Sequence, residues 1–308
     1  MNPLRSAILA ASQSDRVRRT VESVGATRRV VDRFVAGQST SDALECVHRL
    51  TGDGLLATVD HLGEEVTDAA GADATVDAYV SLLDALATKD LARGSDVSVK
   101  LTALGLAVDA PGARDRALRI LDAARDAGAT MTIDMEHSTL TDVTIETVQA
   151  LRERDPSVAA VLQAMLRRTE ADARALAGEG ARIRLCKGAY AEDADVAFQR
   201  RAEVDEAYRR CLAVLFSSAC TPLVATHDPA MVTAALELAA AERRDPSEYE
   251  LQMLLGVRPD EQLRLQRLGL TVRVYVPFGT QWWGYLMRRL AERPANLAFF
   301  ARALATRG

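Results

Sequence analysis

Short apolar runs alternate with longer amphipathic segments along most of the chain. Eight runs have the length and β-branched content typical of strands, at 55–60, 97–101, 130–134, 159–163, 182–186, 223–226, 250–253 and 272–276. A helical pattern follows each of them, at 75–92, 113–127, 142–152, 170–180, 195–217, 229–241, 260–268 and 282–292. Eight strand–helix units over about 240 residues predict an α/β fold of the (βα)8 barrel type rather than an open doubly wound sheet.

The ends of the chain have a different pattern from this repeat. Residues 1–50 are predicted to form an N-terminal helical segment, which includes a helix at 42–50 capped by Thr40 or Ser41. The barrel is then expected to span 51–294, and a helical tail 295–308. Within the barrel the last strand is expected to end at Tyr275, because Pro277 and Gly279 interrupt the pattern.

The composition is that of a large globular protein. The 308 residues are 48% hydrophobic and 26% charged, which allows a large buried core. No apolar run reaches the roughly 18–20 residues that a membrane span needs, and the N-terminus is too polar for a secretory signal, so we expect a cytoplasmic protein. A net charge of −5 with 5% aromatic residues gives little support for nucleic-acid binding. Peripheral contact with the inner face of the cell membrane and homo-oligomer formation are both compatible with the sequence.

Polar residues gather at the predicted carboxyl ends of the strands. In a (βα)8 barrel these ends surround the active site, and deeper strand positions are expected to be apolar. Of the 38 basic residues only three are lysines, and two of them fall at strand ends. Taken singly, each polar residue is also consistent with helix capping. Together they predict a functional mouth formed by Asp60, Lys100, Asp134, Glu136, His137, Gln163, Arg184, Lys187, Thr226, His227, Gln252 and Tyr275.

Familiar local motifs are missing from the sequence. It contains no GxSxG, GxGxxG, GxxxxGK[ST] or HExxH, and its four cysteines are scattered without a CxxC pair. A metal site would therefore need single ligands from separate strands. This leaves open a metal-dependent barrel isomerase or hydrolase that uses Asp60, Glu136, His137 and His227, and also a noncatalytic barrel scaffold.

Seven segments in consistent order over about 200 residues resemble the proline dehydrogenase family. They are SVKLTALG at 98–105, TIDMEHS at 132–138, LQAMLRR at 162–168, RLCKGAY at 184–190, ATHD at 225–228, YELQMLLG at 249–256 and VYVPFG with YLMRRLAERPAN within 274–296. The resemblance is to the single-function bacterial form. It implies a distorted barrel in which FAD lies across the mouth and L-proline is oxidised to Δ1-pyrroline-5-carboxylate, the first step of proline catabolism to glutamate. Hydride would pass from proline C5 to flavin N5, and the electrons to a membrane quinone.

The resemblance also assigns the substrate site. Lys100, Arg288 and Arg289 match the cations that bind the proline carboxylate, for which forked guanidinium donors are well suited. Residues matched to the substrate ring are Leu254, Tyr190 and Tyr275. Glu292, one turn after Arg288, is expected to support the cationic cluster, and Glu64 to act as a gate that pairs with Arg288.

The cofactor residues follow from the same resemblance. Arg184 matches an arginine beside the flavin N5 edge, where its charge would stabilise the anionic reduced ring, and Asp134 and Tyr275 complete the catalytic group. The matched cofactor contacts are Asp134, Gln163, Arg184, Lys187, Gly188, Ala189, Thr226 and His227. Gly188 is expected to permit close approach of the cofactor. No residue of the sequence is identified as the base that takes the amine proton.

Overall fold

Strands and helices alternate along most of the described chain. The computed structural model describes residues 31–63 and 66–292, apart from the side chains of 288–292. The strands are β1 Leu56–His61, β2 Ser95–Val99, β3 Thr130–Ile133, β4 Ala159–Gln163, β5 Arg182–Cys186, β6 Thr221–Ala225, β7 Glu250–Leu254 and β8 Val272–Phe278. The α-helices, after a helical stretch at 31–34, are α1 Thr40–Gly52, α2 Ala69–Thr88, α3 Ala110–Ala127, α4 Thr141–Arg152, α5 Thr169–Leu176, α6 Arg201–Phe216, α7 Pro229–Ala241, α8 Pro259–Arg267 and α9 Trp282–Glu292. Two 3-10 helices lie at Thr102–Leu104 and Ser138–Leu140.

The strands form one closed parallel barrel in the order β1 to β8. β1 pairs in parallel with both β2 and β8, and this last pairing, with Val59 opposite Val276, closes the ring. The predicted (βα)8 barrel is therefore confirmed. The proposed limits of the barrel at 51 and 294 stay a prediction, and both 1–30 and the expected tail at 295–308 lie outside the described residues.

Several predicted boundaries were wrong. β8 does not end at Tyr275 but continues to Phe278, with Pro277 opposite Asp60. Proline lacks only the N–H, and its carbonyl still accepts a hydrogen bond of 2.9 Å from the amide of Ala36, so the strand is not interrupted there. The helix expected from residue 195 begins at Arg201, which leaves a long loop after β5.

The first described helix is capped one residue earlier than expected. The Ser39 hydroxyl accepts from the amide of Asp42, and the Asp42 carboxylate accepts from the amide of Ser39, so the two form a reciprocal capping box. The buried face of α1 shares the main hydrophobic core with Val59 and packs against β1 and β8. In the part of the chain that the structure describes, no helix combines the length and the apolar character needed to cross a membrane.

The barrel interior is ionic, which contradicts the expectation that deeper strand positions would be apolar. Charged side chains of both signs pair across it, and none has more than 14% of its side chain exposed: Asp60, Asp96, Asp134, Glu250, Lys100, Arg182, Arg184 and Arg273. The valines of β2 alternate with Asp96 and Ser98 and lie in the core between strands and helices. Burial of each charge costs several kcal/mol, roughly, unless a partner offsets it. These charged side chains are therefore tolerated in the interior because each lies beside a charge of opposite sign.

The last helix lies at the mouth of the barrel. Trp282, Trp283 and Leu286 of α9 form a second hydrophobic cluster with Leu62, which follows β1, and with Val257, which follows β7. These neighbours belong to the carboxyl-terminal ends of their strands, while α1 packs against the wall at β1 and β8. This arrangement places the helix that carries Arg288 and Arg289 at the mouth.

Candidate functional site

Asp134, directly after β3, is the centre of a buried hydrogen-bond cluster at the mouth. Its Oδ1 accepts from Ser98 Oγ at 2.7 Å and from Arg184 Nη1 at 2.9 Å. Its Oδ2 accepts from the Tyr275 hydroxyl at 2.8 Å. The guanidinium carbon of Arg184 lies 5.5 Å from the centre of the Tyr275 ring, a cation–π distance. The structure thus brings together the three predicted catalytic residues from β3, β5 and β8.

Lys100 lies beside this cluster and is held by a second carboxylate. Its Nζ is 3.0 Å from both Oδ1 and Oδ2 of Asp60 and 3.7 Å from Oδ2 of Asp134. Burial raises the pKa of Asp60, an effect that the charge of Lys100 opposes and that of Asp134 reinforces. Lys100 is therefore positioned by two acidic residues at the place where we expected it to meet a carboxylate.

Two further pKa shifts define the protonation of the cluster. Burial raises the pKa of the Tyr275 hydroxyl well above its usual value, and the charge of Asp134 raises it further. The hydroxyl therefore stays protonated and is the donor in its hydrogen bond to Asp134. For Asp96 at the base of the interior, burial alone would raise the pKa, but three neighbouring guanidinium groups lower it overall. Asp96 is therefore an ionised partner for the arginines.

Gln163, at the end of β4, fastens the loop that follows β3. Its Nε2 donates to the carbonyl of Glu136 at 2.7 Å. The carboxylate of Glu136 accepts from the amide of Thr102 at 3.1 Å and from its hydroxyl at 2.5 Å, which ties this loop to the one after β2. Burial raises the pKa of Glu136 in spite of these bonds. Gln163 thus lies in the predicted ring of polar strand ends.

The loop after β5 carries four predicted residues. Lys187 Nζ is 2.8 Å from Oδ2 of Asp228 and also contacts Asp205, so acidic groups hold its charge at the rim. Gly188 has a φ of +101°, and a Cβ there would meet the side chain of Met165. The protein's own packing therefore accounts for this glycine without reference to a cofactor.

The other two residues of this loop differ in their surroundings. Ala189 is exposed at the rim, and Tyr190 is half-buried with its ring 4.3 Å from that of His137. His137 belongs to the loop after β3, so the tyrosine lies where the two loops meet. The β5 loop thus reaches the mouth from one side.

The ends of β6 and β7 are joined through His227. Its Nε2 accepts from the amide of Leu254 at 2.9 Å, so the proton of the neutral imidazole is on Nδ1. The hydroxyl of the buried Thr226 accepts from the amide of Asp228 at 3.1 Å, and the Asp228 carboxylate caps α7. Thr226 therefore has a capping role in addition to its predicted place near the cofactor.

For four predicted site residues the structure describes no side chain. Arg288, Arg289 and Glu292 belong to α9, but their side chains are not described. Glu64 lies in the undescribed gap between residues 63 and 66. The carboxylate clamp and the gate therefore stay predictions.

The residues of the metal alternative have other partners. Asp60 binds Lys100, Glu136 binds Thr102, and Nε2 of His227 accepts from a backbone amide. Among the described residues no group of three or more His, Cys, Asp or Glu side chains has an arrangement that could hold a metal ion.

The sequence did not single out three residues that shape the site. Ser98 and Asp96 precede Lys100 by two and four residues, and the twofold period of a strand was the signal that could have placed them on the same inward face. Glu192, in the loop after β5, accepts from the amide of Ser138 at 2.8 Å and from its hydroxyl at 2.5 Å. Since 54 residues separate these two, no local pattern pointed to their contact.

The chain is similar to known proteins over nearly its whole length. The sequence model of the proline dehydrogenase family matches residues 43–302. Proline dehydrogenase 1 of Bacillus subtilis (strain 168) is 35% identical over 301 residues, which cover 98% of this chain and 99% of that protein. The proline dehydrogenase of Deinococcus radiodurans is 34% identical over 280 residues, covering 89% of this chain and 90% of the relative.

A solved structure has a similar fold. The crystal structure of proline utilization A (PutA) from Bdellovibrio bacteriovorus, inactivated by N-propargylglycine, superposes with a TM-score of 0.80 at 23% identity. The similarity covers 94% of this chain and 36% of that one, so this chain spans about a third of the longer protein. The two share the barrel fold.

Proposed function

The chain belongs to the proline dehydrogenase family, and from this premise we propose that it catalyses the FAD-dependent oxidation of L-proline to Δ1-pyrroline-5-carboxylate. Membership makes it an oxidoreductase that acts on proline. The observation that carries the finer proposal is the convergence of Lys100, Asp134, Arg184 and Tyr275 on one barrel mouth.

Recognition of proline would depend first on its carboxylate. The ammonium of Lys100 lies 3.0 Å from both carboxylate oxygens of Asp60 and 3.7 Å from Asp134, so its positive charge is held at the mouth. Arg288 and Arg289 lie on α9, the helix at the mouth, from which two forked guanidinium groups can complete a carboxylate site. We therefore assign these three cations to the acid group of the substrate.

The apolar part of proline would pack against the ring of Tyr275, with Leu254 and Tyr190 beside it. Leu254 is the last residue of β7 and lies in register with Tyr275 of β8. Such packing orients a small ring and excludes water from it. Tyr275, which keeps its proton, would hold its ring in place through the hydrogen bond to Asp134.

The donor set at the mouth fits a flavin. It combines the buried cation Arg184 with the polar side chains of Gln163, Thr226 and His227 at neighbouring strand ends, which suit a flat ring system with polar atoms along one edge. The residues proposed to hold FAD are Asp134, Gln163, Arg184, Lys187, Gly188, Ala189, Thr226 and His227. When bound, FAD supplies the two-electron acceptor for the hydride that leaves proline C5.

Arg184 would act through its charge. Arg184 is 5% exposed, and its guanidinium pairs with Asp134 and Asp96, so the charge is pre-positioned in a site shielded from water. A fixed positive charge there favours the build-up of negative charge above it, at no cost of reorganisation during the reaction. Asp134 in turn fixes the guanidinium from above.

The proposed electron acceptor is a quinone, as the family resemblance implies. A quinone acceptor would bring a cytoplasmic protein into peripheral contact with the membrane during turnover, and a homo-oligomer is compatible with this. Assays with a soluble quinone analogue and with quinone-containing vesicles would test the acceptor. Reduction of neither by proline-treated protein would contradict this part of the proposal.

The function is tested by purifying the protein with FAD and supplying L-proline and an artificial electron acceptor. We expect flavin absorbance that co-purifies with the chain, and a product that forms the coloured adduct of Δ1-pyrroline-5-carboxylate with o-aminobenzaldehyde. D-Proline serves as the control substrate. A protein that binds no FAD, or that yields no adduct with L-proline, would overturn the proposal.

A further inference from the structure

A second tier of hydrogen bonds lies below the candidate site. Gln252 of β7 accepts from Arg184 Nε through its Oε1 at 2.7 Å and donates through its Nε2 to Glu250 Oε2 at 2.9 Å. Both oxygens of Glu250 bind Arg273 of β8, at 2.7 and 2.8 Å. We call Gln252, Glu250 and Arg273 the floor network. It connects Asp134 through Arg184 to the opposite side of the barrel.

The orientation of the Gln252 amide is fixed from both ends. Arginine has only donors, so Arg184 can contact only the amide oxygen. For Glu250, burial alone would raise the pKa, but the charge and hydrogen bonds of Arg273 outweigh this and lower it to about 2. An ionised Glu250 can only accept, so it contacts only the amide nitrogen. Gln252 therefore has one favourable rotamer, and its oxygen faces Arg184.

Stability alone gives little reason for such a floor. Barrels of this type usually fill their lower layers with branched apolar side chains. Buried ion pairs are often no more stabilising than apolar residues of the same volume, because each charge loses its hydration. Glu250 and Arg273 nevertheless place a full ion pair in the interior, and each residue is no more than 8% exposed. Orientation of neighbouring side chains explains this buried ion pair better than a contribution to the free energy of unfolding does.

Arg184 depends on this orientation. Its Nη1 contacts Ser98 and Asp134, both at 2.9 Å, and its Nη2 lies 3.4 Å from Asp96. Rotation about the bond between Cδ and Nε would carry Nη1 away from Asp134. The Nε–H bond lies in the guanidinium plane and points away from the axis of that rotation, so its hydrogen bond to Gln252 restrains where the plane lies.

We propose that Gln252 is a positioning residue for proline oxidation, and that with Glu250 and Arg273 it fixes the plane of the Arg184 guanidinium and thereby Asp134. This inference rests on the proposed function, in which Arg184 lies beside the flavin. It adds a specific dependence of the reaction on residues that contact neither proline nor cofactor.

The test compares three variants in the FAD-loaded protein. Gln252→Met keeps the length of the side chain but removes the acceptor, and Gln252→His offers one ring nitrogen as acceptor for Arg184 Nε and one N–H as donor for Glu250. Tyr208→Phe is the matched control, since it removes one buried hydrogen bond, to the carbonyl of Leu185 at 3.0 Å, on the far side of the barrel wall. The measurements are kcat and KM for L-proline, the midpoint potential of the flavin, and Tm.

If Gln252 positions Arg184, Gln252→Met should lower kcat about 10- to 100-fold, with KM within about threefold of wild type. The flavin midpoint potential of Gln252→Met should become more negative, and this shift should be larger than the shift in Tyr208→Phe. The Tm of Gln252→Met should fall no further than the Tm of Tyr208→Phe. Gln252→His should restore kcat to within about fivefold of wild type. Where Gln252→Met does not fold, Gln252→Asn, whose shorter amide withdraws the acceptor, takes its place.

Equal losses in Gln252→Met and Gln252→His would overturn the inference, and so would an unchanged kcat and potential in Gln252→Met. A loss of kcat that follows the loss of Tm in all three variants would also overturn it. These outcomes differ from failure of the proposed function, in which the wild-type protein itself would not oxidise L-proline.

Discussion

The hydroxyl of Tyr275 lies 2.8 Å from Oδ2 of Asp134, so that one hydrogen bond joins the middle of β8 to the end of β3 across the barrel. The same carboxylate receives Arg184 on its other oxygen. Asp134 is thus held between an uncharged donor and a cation. Asp134 therefore connects β3 with β5 and β8 at the candidate site.

Removal of the tyrosine hydroxyl should weaken the reaction without unfolding the barrel. In Tyr275→Phe the Oδ2 atom of Asp134 loses its 2.8 Å partner while the aromatic ring stays in place. We expect kcat/KM for L-proline to fall about 5- to 30-fold, which corresponds to roughly 1–2 kcal/mol for one hydrogen bond to a charged acceptor. Steady-state kinetics with Tyr208→Phe as the control measure this. An unchanged kcat/KM would remove the hydroxyl from the account.

Substitution of Lys100 should affect proline binding before flavin binding. We expect Lys100→Met to raise KM for proline about 10- to 100-fold while flavin content stays the same, because a charged hydrogen bond contributes about 1.5–3 kcal/mol. Lys89→Met is the control, since Lys89 is exposed at the end of α2. If both variants have the same KM, Lys100 does not bind the carboxylate.

The same variant should change the pH dependence of stability. The pKa of Asp60 is raised in the folded state, so its contribution to stability is present below the unfolded pKa and is lost as pH rises through the folded pKa. Removal of Lys100 raises that pKa further. We therefore expect Lys100→Met to lose more Tm relative to wild type at pH 8 than at pH 5. The opposite order would show that Asp60 is not the partner of Lys100.

Glu250 should control acid stability. Its folded pKa of about 2 lies below its ordinary value of 4.5, so its contribution is present above pH 4.5 and is lost as pH falls towards 2. Glu250→Gln leaves Arg273 buried without its anion, at a cost of about 3–5 kcal/mol near pH 7. Urea unfolding at pH 7, 4 and 3 should show this gap narrowing as pH falls. A gap that is constant with pH would contradict the assignment.

Glu192 should hold two loops of the mouth together. Its carboxylate accepts two hydrogen bonds from Ser138, and it is 8% exposed at the side chain. In Glu192→Ala we expect amide hydrogen exchange about 10- to 100-fold faster at 138–140 and 188–192, with the barrel strands unchanged. Glu206→Ala, on the exposed face of α6, is the control. Equal exchange in both variants would show that the contact does not restrain the loops.

The architecture was accessible from the sequence because the strand–helix period repeats eight times. The strand 159–163 and the strand 182–186 were predicted with the bounds that the structure has. Lys100, Asp134, Arg184 and Tyr275 were predicted as one group, since strand ends of a closed barrel must meet at its mouth. The structure brings these four together.

The contacts in the barrel interior and between the loops were harder to predict from the sequence. The sequence predicts that β8 ends at Tyr275, because a proline two residues later usually interrupts a strand. The strand in fact continues through Pro277, where only the carbonyl takes part in a hydrogen bond. Arg273 lay in a predicted strand as an ordinary polar residue, and Asp96 directly preceded one. Asp96 pairs with Arg182 and Arg184, and Arg273 pairs with Glu250. The contacts of Asp96 follow from closure of the barrel, which sequence periodicity does not encode. The contact between Glu192 and Ser138 could not be predicted either, because 54 residues separate the two and no local pattern links them.

The most direct measurement is an anaerobic titration of the FAD-loaded protein with L-proline, followed by flavin absorbance. The account predicts that the absorbance is lost with a stoichiometry of one proline per bound flavin, that D-proline leaves it unchanged, and that Lys100→Met needs a higher proline concentration. Absorbance that persists at saturating L-proline in a fully loaded wild-type protein would contradict the assignment of this barrel mouth to proline oxidation.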